Sequence, residues 1–386
     1  MKKTNKNNRH SDLHRLDQHK LYGISKVLIS ISLIGISTTA FASLQDCRQV
    51  ISKSNKQGII DECISYTTNN DSSILAAVYA AYEGKGNHIK SLEYAKEYIS
   101  EYQDKSNKSV DDSYFLGNAY ALIGSSYYFG EAAPTYPKDT AKGIEYITKG
   151  AELGSAMAQE QMGNFYTSDT ILPKNFSMSY YWYTLGKLNG GSSYTQKAPS
   201  YVYQNMDFFM KSGRYCIAIG QDMVGQAYYK GIGIGQSDSA ALEWMEKAYA
   251  TDTNLSLTTL DLAKMYYNTG DKKQAFKYTQ KALSQPLAQA YQYMANFYIY
   301  GIATAKDPVK AAAYMTVSVD LYKNQDTDFW NKFEPTCMPN YKGTTDEFNL
   351  QVAQKQLAST KLTDEQKDEV AKLVIKLRDS LKNATV

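Results

Sequence analysis

The sequence predicts an all-α protein built as an α/α solenoid of stacked helix hairpins. Two recurring patterns, always in the same order, carry that expectation. The first is an apolar residue, then Gly or Ala, two further positions, then Tyr. It reads Leu75-Ala76-x-x-Tyr79, Ile123-Gly124-x-x-Tyr127, Met162-Gly163-x-x-Tyr166, Val224-Gly225-x-x-Tyr228, Leu262-Ala263-x-x-Tyr266 and Met294-Ala295-x-x-Tyr298. A second register of the same pattern overlaps the second copy, at Leu116-Gly117-x-x-Tyr120. Each copy is followed by a polar residue suited to N-capping, with a small residue at +4, an aromatic at +7 and a small residue at +11. The copies are Asp139, Gly143, Tyr146, Gly150; Asn175, Ser179, Trp182, Gly186; Ser237, Ala241, Trp244, Ala248; Asp271, Ala275, Tyr278, Ala282; and Asp307, Ala311, Tyr314, Ser318. The first unit, Asn87, Ser91, Tyr94, carries Tyr98 at the last place and fits less well. Offsets of 4, 7 and 11 share one face of an α-helix. Small residues there admit a neighbouring helix, the aromatic fills the next gap, and Asp, Asn or Ser caps the first turn. Each unit is therefore a hairpin of an A helix and a B helix. One hairpin cannot bury both its faces, so neighbours must stack.

Residues 1–42 read as an export leader rather than as part of the fold. Lys2, Lys3, Lys6, Arg9, Arg15, Lys20 and Lys26 precede an apolar stretch from Val27 to Thr39, and Ala40-Phe41-Ala42 follows as a small-x-small cleavage pattern. The apolar run is shorter than the roughly 20 residues of a membrane span. Cleavage after Ala42 places the mature chain in the periplasm, with no membrane span. The leader holds seven of the 42 basic groups and two of the 39 acidic ones, leaving 35 and 37 and a net charge of −2. The basic pI of 8.3 thus belongs to the leader. A nucleic-acid partner loses its compositional support.

Residues 43–70 form an N-terminal helical segment. Cys47 and Cys63 flank a predicted turn at 54–58 and are the candidate disulfide, which suits an exported chain. Cys216 and Cys337 complete the even count without any local pattern that pairs them.

The repeats occupy residues 71–321. From the Gly or Ala of the A helix to the N-cap of the B helix the chain takes 8 to 15 residues, the shortest step being Ala263 to Asp271. The stretches IGSSYYFG…KDTAKGIEYITKGAELG, VGQAYYKGIGIGQSDSAALEWMEKAYA and MANFYIYGIATAKDPVKAAAYM resemble the Sel1-like repeat family, relatives of the tetratricopeptide repeats. The resemblance implies a right-handed solenoid whose concave surface, lined mainly by A helices, binds a segment of another protein. It also explains Tyr228 to Gly235, YYKGIGIG, as the Gly-rich connector after helix A. A phosphate loop would need a preceding strand and, in its Walker form, a Lys after the last Gly, whereas Gln236 and Ser237 follow. We read the segment as a flexible connector whose glycines supply positive φ.

Repeat packing is assigned to Gly124, Gly163, Gly225, Ala263 and Ala295 on the A helices and to Tyr146, Trp182, Trp244, Tyr278 and Tyr314 on the B helices. Gly163 is expected at the contact between neighbouring hairpins. The step from Gly163 to Gly225 exceeds that from Gly124 to Gly163, and the surplus falls near residues 190–216, rich in aromatics. Tyr194, Tyr201, Tyr203, Phe208 and Phe209 of that insertion are candidate protein contacts, because insertions in repeats map to loops and Tyr is enriched at interfaces. Gln226 and Lys230 are further candidates, among exposed A-helix positions in 121–128, 161–166 and 226–230. An extra helix packed on the array explains the insertion equally well.

Residues 322–386 close the array with a linker and capping helices. Thr363 and Gln366 form a capping box, and Val370, Leu373, Val374, Leu377 and Leu381 make one apolar stripe.

No enzyme, cofactor or metal is expected. His10, His14 and His19 lie in the leader, leaving His88 as the one histidine of the mature chain. H-E-x-x-H, G-x-S-x-G and Ser-x-x-Lys patterns are missing, and Asp111-Asp112 beside Ser109 reads as a helix start. The expected partner is another protein. Two readings stay open: an immunity protein that neutralises an antibacterial effector such as a phospholipase, and a general periplasmic adaptor in envelope assembly or host interaction.

Overall fold

The protein is described by a computed structural model covering residues 38–68, 71–106, 108–132, 134–167, 169–192, 197–199, 214–324, 327–333, 337 and 347–384. The chain divides into two units, Met1–Lys108 and Ser109–Val386. Among the described residues every regular element is helical.

The first unit holds α1 (Thr38–Ser52), α2 (Lys56–Cys63), α3 (Ser72–Gly84) and α4 (His88–Tyr102). Cys47 on α1 and Cys63 at the end of α2 form a disulfide with their Cα atoms 5.0 Å apart. Both sit in a small core with Ile59, Ile74, Val78 and Ala81. The turn between the helices is tighter than 54–58: Asn55 already caps α2 by accepting the Gly58 N–H. Helix α1 runs across the expected cleavage point, so removal of 1–42 leaves its Ser43–Ser52 part with Cys47. In the α3–α4 hairpin, Asn87 caps α4 and the Ser91 hydroxyl donates to the Tyr79 carbonyl at 2.9 Å. His88 opens α4, its Nδ1 3.0 Å from a Glu83 carboxylate oxygen.

Among its described residues the second unit contains five hairpins. They are α5 (Val110–Phe129) with α6 (Thr140–Glu152), α7 (Ala156–Phe165) with α8 (Phe176–Leu188), and α9 (Arg214–Lys230) with α10 (Asp238–Thr251). Then come α11 (Ser256–Asn268) with α12 (Lys272–Lys281) and α13 (Ala288–Tyr300) with α14 (Pro308–Asn324). The B-helix caps fall where the sequence sets them. Asp139, Asn175, Ser237, Asp271 and Asp307 accept the backbone N–H of Lys142, Met178, Ala240, Gln274 and Lys310. Helix α5 starts at a capping box of Ser109 and Asp112.

Within a hairpin the two helix backbones nearly touch. A Cβ on Gly124 would lie 2.8 Å from the Ile147 backbone nitrogen and 3.0 Å from the Gly143 carbonyl oxygen. One on Gly143 would lie 2.7 Å from the backbone nitrogen of Tyr128. Gly117 and Gly150 meet in the same way, each carbonyl 3.0 Å or less from the other's Cβ position. The two overlapping registers on α5 are thus both used, one glycine against each half of α6. A Cβ on Gly225 would lie 3.0 Å from the Ala241 carbonyl oxygen, and one on Gly163 would lie 2.6 Å from the Tyr183 ring. The Gly163 contact therefore lies inside its own hairpin, not between neighbouring hairpins as the sequence reading placed it. Antiparallel pairing sets the small face of helix B against helix A of the same hairpin.

The aromatic positions of the two patterns meet as pairs. Tyr127–Tyr146, Tyr266–Tyr278 and Tyr298–Tyr314 have ring centroids 6.0, 5.4 and 5.9 Å apart. Trp182 and Trp244 join one core with Tyr166, Tyr228, Met162 and Leu185. Ala263 and Ala295 are fully buried.

The glycines of the YYKGIGIG connector supply positive φ as expected, and Gly233 is held by hydrogen bonds to the preceding hairpins. Gly231 and Gly233 take φ of +69° and +73°. The Gly233 N–H donates to the Glu152 carbonyl at the end of α6 at 2.6 Å. Its carbonyl accepts from Gln159 Nε2 on α7 at 2.6 Å and from Asn189 Nδ2 just after α8 at 2.7 Å. The loop between α9 and α10 is thereby clamped onto the two preceding hairpins. The same backbone path recurs after α13 at Gly301 and Ala303, with φ of +70° and +57°.

The C-terminal part returns over the array. Phe329 and Trp330 of α15 (Thr327–Trp330), with Phe333 and Cys337, enter a core with Tyr215, Leu255 and Leu287. Cys337 forms a disulfide with Cys216 in the first turn of α9, Cα atoms 5.0 Å apart. Two further helices pack on α14. Leu350 and Ala353 of α16 (Glu347–Ser359) meet Met315, Val319 and Tyr322. Val374 of α17 (Asp364–Leu381) is buried against Tyr291, Ala313 and Val317, with Val370, Leu373, Leu377 and Leu381 beside it. Thr363 and Gln366 form the capping box of α17.

Two expectations follow. In a solvated helix Gly→Ala gains about 1 kcal/mol, but Gly143→Ala will instead lose about 1–3 kcal/mol of unfolding free energy in urea, because its new methyl meets backbone rather than a yielding side chain. Cys337→Ala will cost about 2–5 kcal/mol and more than Cys47→Ala, since the entropy of closing the longer loop is larger; urea unfolding of the two variants under oxidising conditions checks the order.

Candidate protein-binding face

One face of the second unit is built by residues flanking the Gly or Ala of each A helix. Immediately after that residue stand Ser125, Asn164, Gln226, Lys264 and Asn296, all polar. Two places before it stand Gln161, Asp261 and Tyr293 on α7, α11 and α13. The first set reaches the second set on the next A helix. Gln161 Nε2 on α7 donates to Ser125 Oγ on α5 at 2.8 Å. Gln226 Nε2 on α9 donates to Asp261 Oδ2 on α11 at 3.1 Å. The Lys264 ammonium on α11 lies 5.9 Å from the Tyr293 ring centre on α13. Asn296 Oδ1 on α13 accepts from Gln356 Nε2 at 3.2 Å, so α16 takes the place of a following A helix. The rule skips one step. Asn164 bonds instead to the Tyr183 hydroxyl of its own hairpin, where the chain between α8 and α9 is long. The two positions are three residues apart on each A helix, hence on one face, and these lateral bonds link neighbouring A helices along it.

The α9–α11 seam carries an unusual acidic pair. Asp222 is 5% exposed and accepts from Gln226 Nε2 at 2.7 Å through Oδ2. Burial, and then the negative charge of Asp261, hold its carboxyl pKa well above the ordinary carboxylate range, against the Gln226 hydrogen bond. Asp261 is shared between Gln226 and Lys264, whose Nζ donates to its Oδ1 at 2.9 Å. Burial works against the Lys264 charge, yet the Asp261 carboxylate beside it holds that ammonium pKa above its usual value. Lys264 also donates to Gln289 on α13 at 3.4 Å.

Beside this seam lies a pocket of about 180 Å³ between α11 and α13. Tyr267, Tyr293, Asn296, Phe297, Tyr300 and Ile302 line it. Tyr300 is 57% exposed at its rim. Small-molecule sites are usually 300 Å³ or larger by order of magnitude, so the volume suits one side chain of a partner rather than a cofactor.

Of the contact candidates named from sequence, Gln226 is half-buried within the ladder and Lys230 is exposed at the end of α9. Tyr194, Tyr201, Tyr203, Phe208 and Phe209 lie outside the described residues. Ala121 is fully buried, and Ser125 and Gln161 engage each other, so the exposed part of the first two A-helix stretches narrows to Asn164 and Phe129 just beyond. The aromatic pocket and the Asp222–Asp261–Lys264 group were missed. A signal was available: the residue after each motif Gly or Ala is polar in all five A helices of this unit, although it sits amid apolar neighbours. Among the described residues no group of three or more His, Cys, Asp or Glu is placed to hold a metal ion, and no helix is long and apolar enough to cross a membrane.

These features define a helical-repeat scaffold that presents a contact face. The Sel1 repeat family model matches residues 117–155, 156–190, 218–250, 260–286 and 288–321, the five hairpins of the second unit. Through these repeats the chain belongs to the Sel1-repeat family, whose fold serves protein–protein interaction. The α3–α4 hairpin lies outside the matched segments, so the array recognised by the family begins later than the sequence patterns suggested. The chain is similar to a Sel1 repeat protein from Oxalobacter formigenes, at 16% identity over 75% of this chain and 98% of that one, with a TM-score of 0.29. It is also similar to a protective antigen present in uropathogenic Escherichia coli strains displaying an SLR fold. That likeness runs at 15% identity over 88% of this chain and 96% of that one, with a TM-score of 0.24. No curated protein matches the chain significantly.

The Asp222 environment sets a pH dependence. A carboxyl whose folded pKa is raised binds its proton more tightly in the folded state. Its ionisation therefore removes stability as pH climbs from the unfolded value near 3.9 through the folded one. Asp222→Asn removes that penalty. The variant will melt higher than the parent at pH 8, and the difference will shrink as pH falls towards 4, as differential scanning calorimetry across that range will show.

Proposed function

We propose that this is an exported protein that binds another protein along the A-helix face of residues 109–324. The single observation that carries the reading is the face itself. Its lateral bonds align successive A helices, and an aromatic, side-chain-sized pocket opens between two of them. Support for export comes from the basic-then-apolar leader with Ala40-Phe41-Ala42, and from two disulfides, which persist in oxidising compartments. Within this reading we favour an immunity role, in which the partner is an antibacterial effector such as a phospholipase delivered into the periplasm. The export leader and the lack of any catalytic motif in the sequence support it. A general adaptor in envelope assembly is the alternative, and the same experiment separates the two.

The experiment is purification of the tagged protein from its own periplasm with whatever it holds. One stoichiometric partner, toxic when made alone in the periplasm, is the expected result. A spread of envelope proteins establishes the adaptor instead, and recovery of none sinks the protein-binding reading. Where a partner is found, Asn164→Arg with Lys230→Glu on the A face will weaken binding by about ten-fold or more, about 1.4 kcal/mol. Lys277→Glu, exposed on a B helix, will leave it unchanged. The Lys230→Glu and Lys277→Glu single variants will melt as the parent does, whereas Asn164→Arg removes the acceptor of the Tyr183 hydroxyl and will melt lower, so binding is compared at a temperature where all are folded.

A further inference from the structure

The geometry points to the pocket between α11 and α13 as a docking subsite for a peptide segment of the partner that presents one large apolar side chain flanked by carboxylates. The inference rests on the protein-binding reading above and names the chemistry of the segment bound.

The floor and walls are aromatic: Tyr267 from α11, then Tyr293, Phe297 and Tyr300 from α13, with Ile302 from the following connector. Tyr267 and Phe297 meet at a centroid distance of 6.2 Å and an interplanar angle of 77°, so the wall is a braced edge-to-face pair. Tyr300 stays more than half exposed, as an uncovered contact aromatic would. Such aromatic pockets are where binding energy concentrates at protein interfaces.

The charge around the rim has one prevailing sign. The Lys272 ammonium lies 3.3 Å from the Tyr267 ring centre and donates to the Tyr267 carbonyl, while Lys264, at the Tyr293 ring, is neutralised by Asp261, so the rim cations are Lys272 and Lys306. Lys306 is exposed, and its stem passes beside Gly301, which separates the lining residues Tyr300 and Ile302. The nearby carboxylates are committed elsewhere. Asp261 is held by Lys264 and Gln226, and Asp271 accepts the Gln274 N–H at the start of α12. Asn296 uses its carboxamide oxygen for Gln356, which leaves its NH₂ donors for an incoming carbonyl or carboxylate. An apolar side chain fits the floor, and acidic neighbours fit the cationic rim.

The test uses fluorescence anisotropy with three labelled peptides on the chain from Ser43 to Val386. They are Gly-Ser-Asp-Phe-Glu-Ser-Gly, the same peptide with Ala for Phe, and the same peptide with Lys for both acids. The first should bind about ten-fold or more tightly than either other, and added salt should narrow the gap to the Lys peptide. Tyr300→Ala, at an exposed position, should abolish the Phe preference, and Lys272→Glu should invert the charge preference. Equal binding of the three, a preference for the Lys peptide, or a Phe preference that survives Tyr300→Ala overturns the assignment. If no peptide binds while a protein partner is still recovered from the periplasm, the pocket assignment fails and the protein-binding reading stands. If neither is recovered, both fail.

Discussion

Much of the second unit depends on the near-contact of two helix backbones inside its first and third hairpins. Gly124 against Gly143, and Gly117 against Gly150, leave no room for a Cβ between α5 and α6. Gly225 against Ala241, and Gly163 against the Tyr183 ring, repeat the constraint further along. Glycine in a helix interior costs about 1 kcal/mol relative to alanine. The chain tolerates that cost at several sites because the closeness it permits sets the position of everything outside it. The aromatic at +7 of helix B falls beside the motif tyrosine of helix A in the pairs Tyr127–Tyr146, Tyr266–Tyr278 and Tyr298–Tyr314, the last two in hairpins whose motif residue is Ala.

A fixed hairpin fixes which A-helix positions face outward. The residue after each Gly or Ala is carried to the same lateral place, and there it meets the next A helix through Ser125–Gln161, Gln226–Asp261 and Lys264–Tyr293. These bonds are individually modest, of order 1 kcal/mol. Their effect is on alignment: they hold α9, α11 and α13 in a row, and the aromatic pocket exists only because Tyr267 and Tyr293 come from two helices held side by side. The buried Asp222 shows that the same seam also carries electrostatic strain. Asp222 is removed from water next to Asp261, and Gln226 Nε2 donates to both of them, one on its own helix and one on the next A helix.

Closure of the unit uses covalent and apolar means together. The Cys216–Cys337 bond joins the first turn of α9 to chain 121 residues away, within a core that includes Phe329, Trp330 and Phe333. The connector YYKGIGIG works in the other direction, with Gly233 anchored to Glu152, Gln159 and Asn189 of the preceding hairpins. Gly233, in the middle of the glycine run, spends both its N–H and its carbonyl on its own protein, whereas a phosphate loop turns such N–H groups towards its ligand.

The sequence by itself determined the hairpins. Cap, small, aromatic and small residues at fixed spacing are local instructions, acting within one or two turns of helix, so the N-caps at Asp139, Asn175, Ser237, Asp271 and Asp307, the capping box at Thr363 and the apolar stripe of α17 were all legible. The tertiary structure alone decided what meets across hairpins. That Cys216 finds Cys337, and that Asp222 is buried beside Asp261, each depend on residues brought together from distant points of the chain. A linear pattern records which faces are small, polar or apolar; the partner each face finds is set by how the stacked helices align, and no spacing along the chain encodes that.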